Sequence, residues 1–174
     1  KSRDPLGYQQ WAWTLVSAQS ESVTAMNQTL VLPDLIRGTI LNIMAKKSDE
    51  EYRAQLSQMQ FWVTRQGGTE GPGTGIYNAH DAPGVYHCVC CKAELFSSNE
   101  KFDSGCGWPS FADHMGNDNL RFLEDRSHGQ IRTEVRCAQC DSHLGHVFED
   151  GPSKTGQRYC INSASLDFAD EIKA

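Results

Sequence analysis

Two Cys-x-x-Cys pairs, Cys88 with Cys91 and Cys137 with Cys140, constrain this chain more than any other feature, because they oblige two distant segments to meet. Two such turns can present four thiolates as the tetrahedron Zn²⁺ accepts when no position is left for a substrate. The spacing predicts one structural zinc per chain, tying the turn near residue 90 to the turn near residue 138, and a fold that loosens when the metal is withdrawn. The competing reading is two redox-active dithiols or unrelated core cysteines. Cys90 falls inside the first pair, yet only 88 with 91 reproduces the spacing of 137 with 140, so Cys90 reads as a bystander.

Of the 7 cysteines, Cys90, Cys106 and Cys160 remain. An odd total with two metal-type pairs fits free thiols in a reducing compartment, the cytoplasm, better than a secreted disulfide framework. Cys160 stands alone in Arg158-Tyr159-Cys160-Ile161-Asn162 and is a candidate nucleophile. Arg158, two residues earlier on the same side of a strand, would favour its thiolate; a solvent-facing arginine is the plainer role. Cys106 lies between Gly105 and Gly107, which suits a thiol that must move, or equally a small buried apolar residue. Trp108 and Phe111 form either an aromatic wall beside a reactive centre or ordinary core. His143 and His146, freed from metal duty by the four cysteines, are candidate proton donors and hydrogen-bond partners, with structural histidines as the alternative.

Acidic residues outnumber basic ones, 22 to 16, for a net charge of -6, which argues against a nucleic-acid groove built from clustered Lys and Arg. No apolar run approaches the roughly 18 residues of a membrane helix. Residues 1–43 contain neither Cys nor His, and Met44 resembles a translation start. They read as a leader, tag or extension, with Leu32, Leu35, Ile36, Ile40 and Ile43 able to line a short amphipathic helix, and residues 44–174 as the working domain. Ser48 and Glu51 form a capping box, and Tyr52, Leu56 and Met59 share one helical face. The glycine-rich run Gly67 to Gly75 is a loop with neither the lysine nor the spacing of a phosphate cradle.

Beyond Val85 the apolar period shortens to two, over Val85–Val89 and Ile131–Cys137, with further short strands expected at 95–96, 120–122, 146–148 and 159–161. The expected architecture is a compact, mainly β domain of antiparallel strands with peripheral helices.

Three segments carry a resemblance: Phe102-Asp103-Ser104-Gly105-Cys106-Gly107-Trp108-Pro109-Ser110-Phe111, His143-Leu144-Gly145-His146-Val147-Phe148, and Arg158 to Leu166. With both Cys-x-x-Cys pairs in order, they resemble the methionine sulfoxide reductase B family from about Met44 to Phe168. The resemblance implies two antiparallel sheets, often called a β-tent, and zinc on Cys88, Cys91, Cys137 and Cys140. It implies Cys160 as the catalytic thiolate, Cys106 as the resolving one, and Trp108 as the seat of the substrate methyl. His143, His146 and Asn162 match polar positions around the sulfoxide, in an enzyme reducing methionine-R-sulfoxide, free or in proteins. Thioredoxin is the reductant the family suggests, protein repair under oxidative stress the task, and a monomer the expected state.

The chemistry agrees with this assignment. A sulfoxide sulfur becomes electrophilic once its oxygen is protonated, so the site needs a soft nucleophile, a proton source and an apolar seat. The chain departs from the family pattern at Gly73, where an aromatic residue usually follows the proline, and Cys90 is extra. Two rivals are a zinc-ribbon binding module, which leaves Cys106 and Cys160 without work, and a dithiol chaperone or redox sensor.

Overall fold

The computed structural model describes residues 47–116 and 118–171; the expectation of a leader over 1–43 lies outside them. The described chain opens with two short helices, α1 (Asp49–Gln55) and α2 (Gln58–Gln66). Each has its own capping box, Ser48 with Glu51 and Ser57 with Gln60, so two of the otherwise unpaired amide groups at each start are satisfied. The second box breaks the single helical face expected for Tyr52, Leu56 and Met59. Ser57 adopts extended backbone, the helix restarts, and Tyr52 and Leu56 stay buried while Met59 turns outward, 48% exposed.

Among the described residues nine antiparallel strands follow: β1 (Gly84–Cys88), β2 (Glu94–Ser97), β3 (Lys101–Phe102), β4 (Ser110–Phe111), β5 (Leu120–Asp125), β6 (Arg132–Cys137), β7 (His143–Phe148), β8 (Arg158–Ile161) and β9 (Leu166–Asp170). They form two sheets, ordered β2-β1-β9 and β3-β4-β8-β7-β6-β5. The mainly β expectation with peripheral helices holds. The sequence pattern gave no hint of β9, whose Leu-Asp-Phe-Ala-Asp run owes its strand to full pairing with β1.

The buried core lies between the sheets and helices. Tyr86, Leu95, Phe96, Phe111, Val135, Leu144, Tyr159 and Ile161 are at most 1% exposed. Phe96 stacks on Phe111 with ring centroids 4.4 Å apart, and Tyr86 meets Phe111 edge-on at 5.1 Å. Aromatic packing of this kind adds about 0.5–1.5 kcal/mol per pair beyond area burial.

The register of β8 sets up the chemistry. Cys160 lies opposite Ser110 on β4 and opposite His146 on β7, and His146 lies opposite Glu134 on β6. Directly paired residues point to one side of a sheet, so these four side chains form a row. Gly145 permits the close approach of β7 to β8, since a Cβ there would sit 2.1 Å from the Cys160 carbonyl oxygen.

Candidate active site and metal centre

The two Cys-x-x-Cys turns fold alike. The N–H of Lys92 donates to the Cys88 carbonyl (2.8 Å), as that of Asp141 does to Cys137 (2.9 Å). Lys92 and Asp141 both hold the left-handed conformation, φ 65° in each case, which side-chain-bearing residues adopt only at a cost of about 1–2 kcal/mol. Sγ of Cys88 lies 3.6 Å from that of Cys140, Sγ of Cys91 lies 3.5 Å from that of Cys137, and all four lie within 4.8 Å of one another. A metal bound tetrahedrally at about 2.3 Å requires sulfurs about 3.8 Å apart, so the donor set fits one ion. The helices brace both turns: the Gln55 amide donates to the Cys90 carbonyl (3.1 Å) and Arg65 to the Cys140 carbonyl (2.9 Å). Cys90 is buried against this cluster, 2% exposed.

The remaining two cysteines face each other, Cys106 Sγ 3.6 Å from Cys160 Sγ. Cys106 rides a turn in which Gly105 and Gly107 both have positive φ, and a Cβ at Gly107 would meet Pro72 at 2.8 Å. The Ser104 hydroxyl donates to its sulfur at 3.0 Å, and the Ser110 hydroxyl lies 3.5 Å away. Burial opposes ionisation of Cys106, but these hydroxyls, the Trp108 backbone and the Cys160 thiol outweigh it and bring its pKa down to about 7. Burial, followed by the charge and contact of Cys106, pushes Cys160 up to about 12. Arg158 works in the opposite direction, favouring the Cys160 thiolate as its position on the strand suggests. The guanidinium lies 4.6 Å over the Phe148 ring and is held by the Asp150 carboxylate through two bonds, at 2.8 and 2.9 Å.

Cys160 opens onto a cavity of about 120 Å³. Trp108 and Phe148 give it apolar walls, while Thr69, Arg132, His146 and Asn162 supply polar groups. Both His146 and His143 rest on carboxylates. His146 Nε2 lies 2.8 Å from Asp125 Oδ2, which also accepts from Arg132 at 2.7 Å. The Asp125 carboxyl is held well below its ordinary range, first by the Ser127 hydroxyl and amide, then by His146 and Arg132. His143 Nδ1 lies 2.6 Å from Glu134 Oε1, which Arg136 also contacts, at 2.8 Å. Burial lowers the pKa of His143, so its imidazole tends to the neutral form.

His143 and His146 are three apart, and strict alternation would put them on opposite sides of β7. A bulge intervenes: Val135 pairs with Gly145 but Arg136 pairs with His143, leaving Leu144 over, and the two rings come within 5.6 Å. His146 lines the cavity and His143 stands behind it.

The structure thus brings together Cys106, Cys160, Trp108, His146, Asn162, Arg158 and, one layer back, His143. The expectation for Phe111 is corrected. On β4 Ser110 faces Cys160, so alternation sends Phe111 to the other face, where it is fully buried in the core. Sequence reading overlooked Asp125, Arg132, Glu134 and Phe148. The alternating Arg132-Thr133-Glu134-Val135-Arg136 pattern was the available signal: its charged face supports the histidines.

The SelR domain family model matches residues 56–170. The protein of Synechococcus sp. (strain RCC307) named Peptide methionine sulfoxide reductase MsrB is 56% identical over 124 residues, covering 71% of this chain and 91% of that protein. Its namesakes in Escherichia coli O45:K1 (strain S88 / ExPEC) and Escherichia coli (strain K12 / DH10B) are each 56% identical over 127 residues, covering 72% of this chain and 91% of their own length.

Proposed function

The chain belongs to the peptide methionine sulfoxide reductase MsrB family and is an enzyme that reduces methionine sulfoxide; from that premise we propose that it takes the R epimer and turns over through Cys160 and Cys106. The observation that carries this reading is a sulfur pair 3.6 Å apart with one member, Cys160, in the wall of a cavity that Trp108 also lines.

In this mechanism the substrate's S-methyl group seats against Trp108, and its oxygen faces His146 and the Asn162 amide. The Cys160 thiolate attacks the sulfur as His146 supplies a proton to the oxygen. Methionine leaves, and the oxygen remains on Cys160 as a sulfenic acid. The Cys106 thiol condenses with it, releasing water and forming the Cys106–Cys160 disulfide. An external dithiol, thioredoxin in this reading, reopens that bond and becomes a disulfide itself, which makes the kinetics ping-pong. Asp125 and Glu134 hold the two imidazoles in place behind the reaction.

We assign the four-cysteine cluster to one structural Zn²⁺, since four sulfur donors leave no coordination position for substrate. The reductase domain is residues 44–174, acting as a monomer in a reducing compartment, the cytoplasm, to repair proteins damaged by oxidative stress. Among the described residues no helix is long and apolar enough to cross a membrane.

Separated R and S epimers of methionine sulfoxide, free and in a peptide, test the reading with dithiothreitol and with thioredoxin plus its reductase. Consumption of R alone is expected; equal rates on both epimers, or none on either, would overturn it. Replacing Cys106 by serine should leave one methionine released per enzyme and no thioredoxin-driven recycling. It should also speed alkylation of Cys160 at pH 7, because the negative neighbour that raises its pKa is gone. Peptide mapping after iodoacetamide reads this; undiminished thioredoxin-supported turnover would dismiss Cys106 as the resolving thiol.

A further inference from the structure

Glu70 is a carboxylate only 5% exposed, and no step of the chemistry above uses it. Burying such a group without partners is strongly unfavourable, so its bonds show what it is for. Its main-chain N–H donates to Asn162 Oδ1 (3.1 Å), and its main-chain carbonyl accepts from Trp108 Nε1 (3.0 Å). Its two carboxylate oxygens accept from successive amides, Ser163 N at 2.5 Å and Ala164 N at 2.9 Å. Every one of these bonds ends on a cavity-lining side chain or on the turn that follows the Cys160 strand.

The consequences for the cavity are specific. An indole has a single N–H, so the bond to Glu70 fixes how Trp108 presents its ring. The Asn162 amide oxygen is taken by Glu70, and one of its N–H groups donates to the Leu144 carbonyl (3.0 Å). The second N–H is thereby directed away from both, from a residue that lines the cavity. The reverse amide orientation would place donor against donor at Glu70. The 3-10 turn Ser163–Ser165 starts directly after Asn162, whose own side chain does not cap it; Glu70 caps it instead, from across the fold. Burial pushes the Glu70 carboxyl up, and the two amides work against that.

We propose that Glu70 is the positioning residue that aims Trp108 and Asn162 into the Cys160 cavity, its carboxylate anchoring the loop whose main chain holds both side chains. The role rests on the assignment of that cavity to methionine sulfoxide.

Glu70→Gln tests it. The side chain keeps its size, but its new NH₂ opposes one of the two amide donors. Loosening the methyl seat at Trp108 removes binding that substrate and transition state share, so KM for methionine-R-sulfoxide should rise at least about tenfold, with kcat held within about threefold. Measured well below the melting transition, a purely structural role would leave the KM of the folded protein unchanged, and that result would overturn the proposal. In ¹⁵N-indole spectra the Trp108 cross-peak, identified with Trp108→Phe, should move in Glu70→Gln while that of Trp62 does not; an unmoved Trp108 peak also overturns it. This readout needs no turnover, so it separates the positioning role from the assignment of the substrate. Should the variant not fold, exchange of the indole N–H in the unaltered protein still decides: Trp108 should exchange at least tenfold more slowly than the half-exposed Trp62, and equal rates would refute the bond to Glu70.

Discussion

Cys160→Ser should abolish turnover, by about four orders of magnitude or more, while metal content and melting temperature stay those of the unaltered protein. A serine hydroxyl fills almost the same space but ionises far less readily than a thiol and is a harder nucleophile, poorly matched to sulfur. Cys106, although more acidic, cannot substitute, because it is Cys160 that forms part of the cavity wall. The fold should not notice the change, since Cys160 directs its side chain toward Cys106 and the cavity rather than into the aromatic core. Epimer-resolved chromatography measures the rate, and atomic absorption with thermal circular dichroism provides the controls. Residual activity above about one part in a hundred would assign the nucleophile elsewhere.

Withdrawing the proposed zinc should have the second large effect. Cys88 ends β1 and Cys91 follows it, whereas Cys137 ends β6 and Cys140 precedes β7. One ion would therefore join the three-stranded sheet to the six-stranded one. Both helices reach the same cluster through Gln55 and Arg65. Apparent binding energies of structural zinc in small peptides are about 10–16 kcal/mol, comparable with the roughly 5–15 kcal/mol that stabilises a whole domain. Strong chelation, or Cys137→Ser, should leave no cooperative melting transition above room temperature, and activity should fall with the fold. Metal analysis should give one ion per chain before treatment. A metal-free protein melting at the same temperature would show that the cluster is held together without an ion.

Six of the nine described strands and the four-cysteine cluster were legible in the sequence because they obey local rules. Alternation placed β1 and β6, Ser48 with Glu51 marked the first helix, and two equal spacings marked the cysteines. The break at Ser57 was equally local, a second capping box overlooked within a run of helix formers. Other parts depended on partners far along the chain. Phe111 was assigned to the site by its neighbours in sequence, but the parity of a two-residue strand paired to β8 removes it to the core. His143 joins His146 only through a bulge, which no spacing rule foretells. Glu70 acquires its role from contacts with residues more than thirty positions away, and the sequence offers only a glycine-rich loop there.

Seven thiols in one small chain pose a problem of chemical selectivity, because a sulfenic acid condenses with whichever thiol meets it first. In the proposed mechanism the arrangement would answer by kinetic partitioning. Four sulfurs are gathered where each mainly encounters the others, Cys90 is walled off beside them, and Cys106 alone waits within 3.6 Å of Cys160. At that separation a tethered group acts at an effective concentration far beyond that of any thiol in solution, about 10⁵–10⁸ M in well-oriented cases. Under that mechanism, which disulfide forms would be decided by distance, before intrinsic reactivity has a chance to choose.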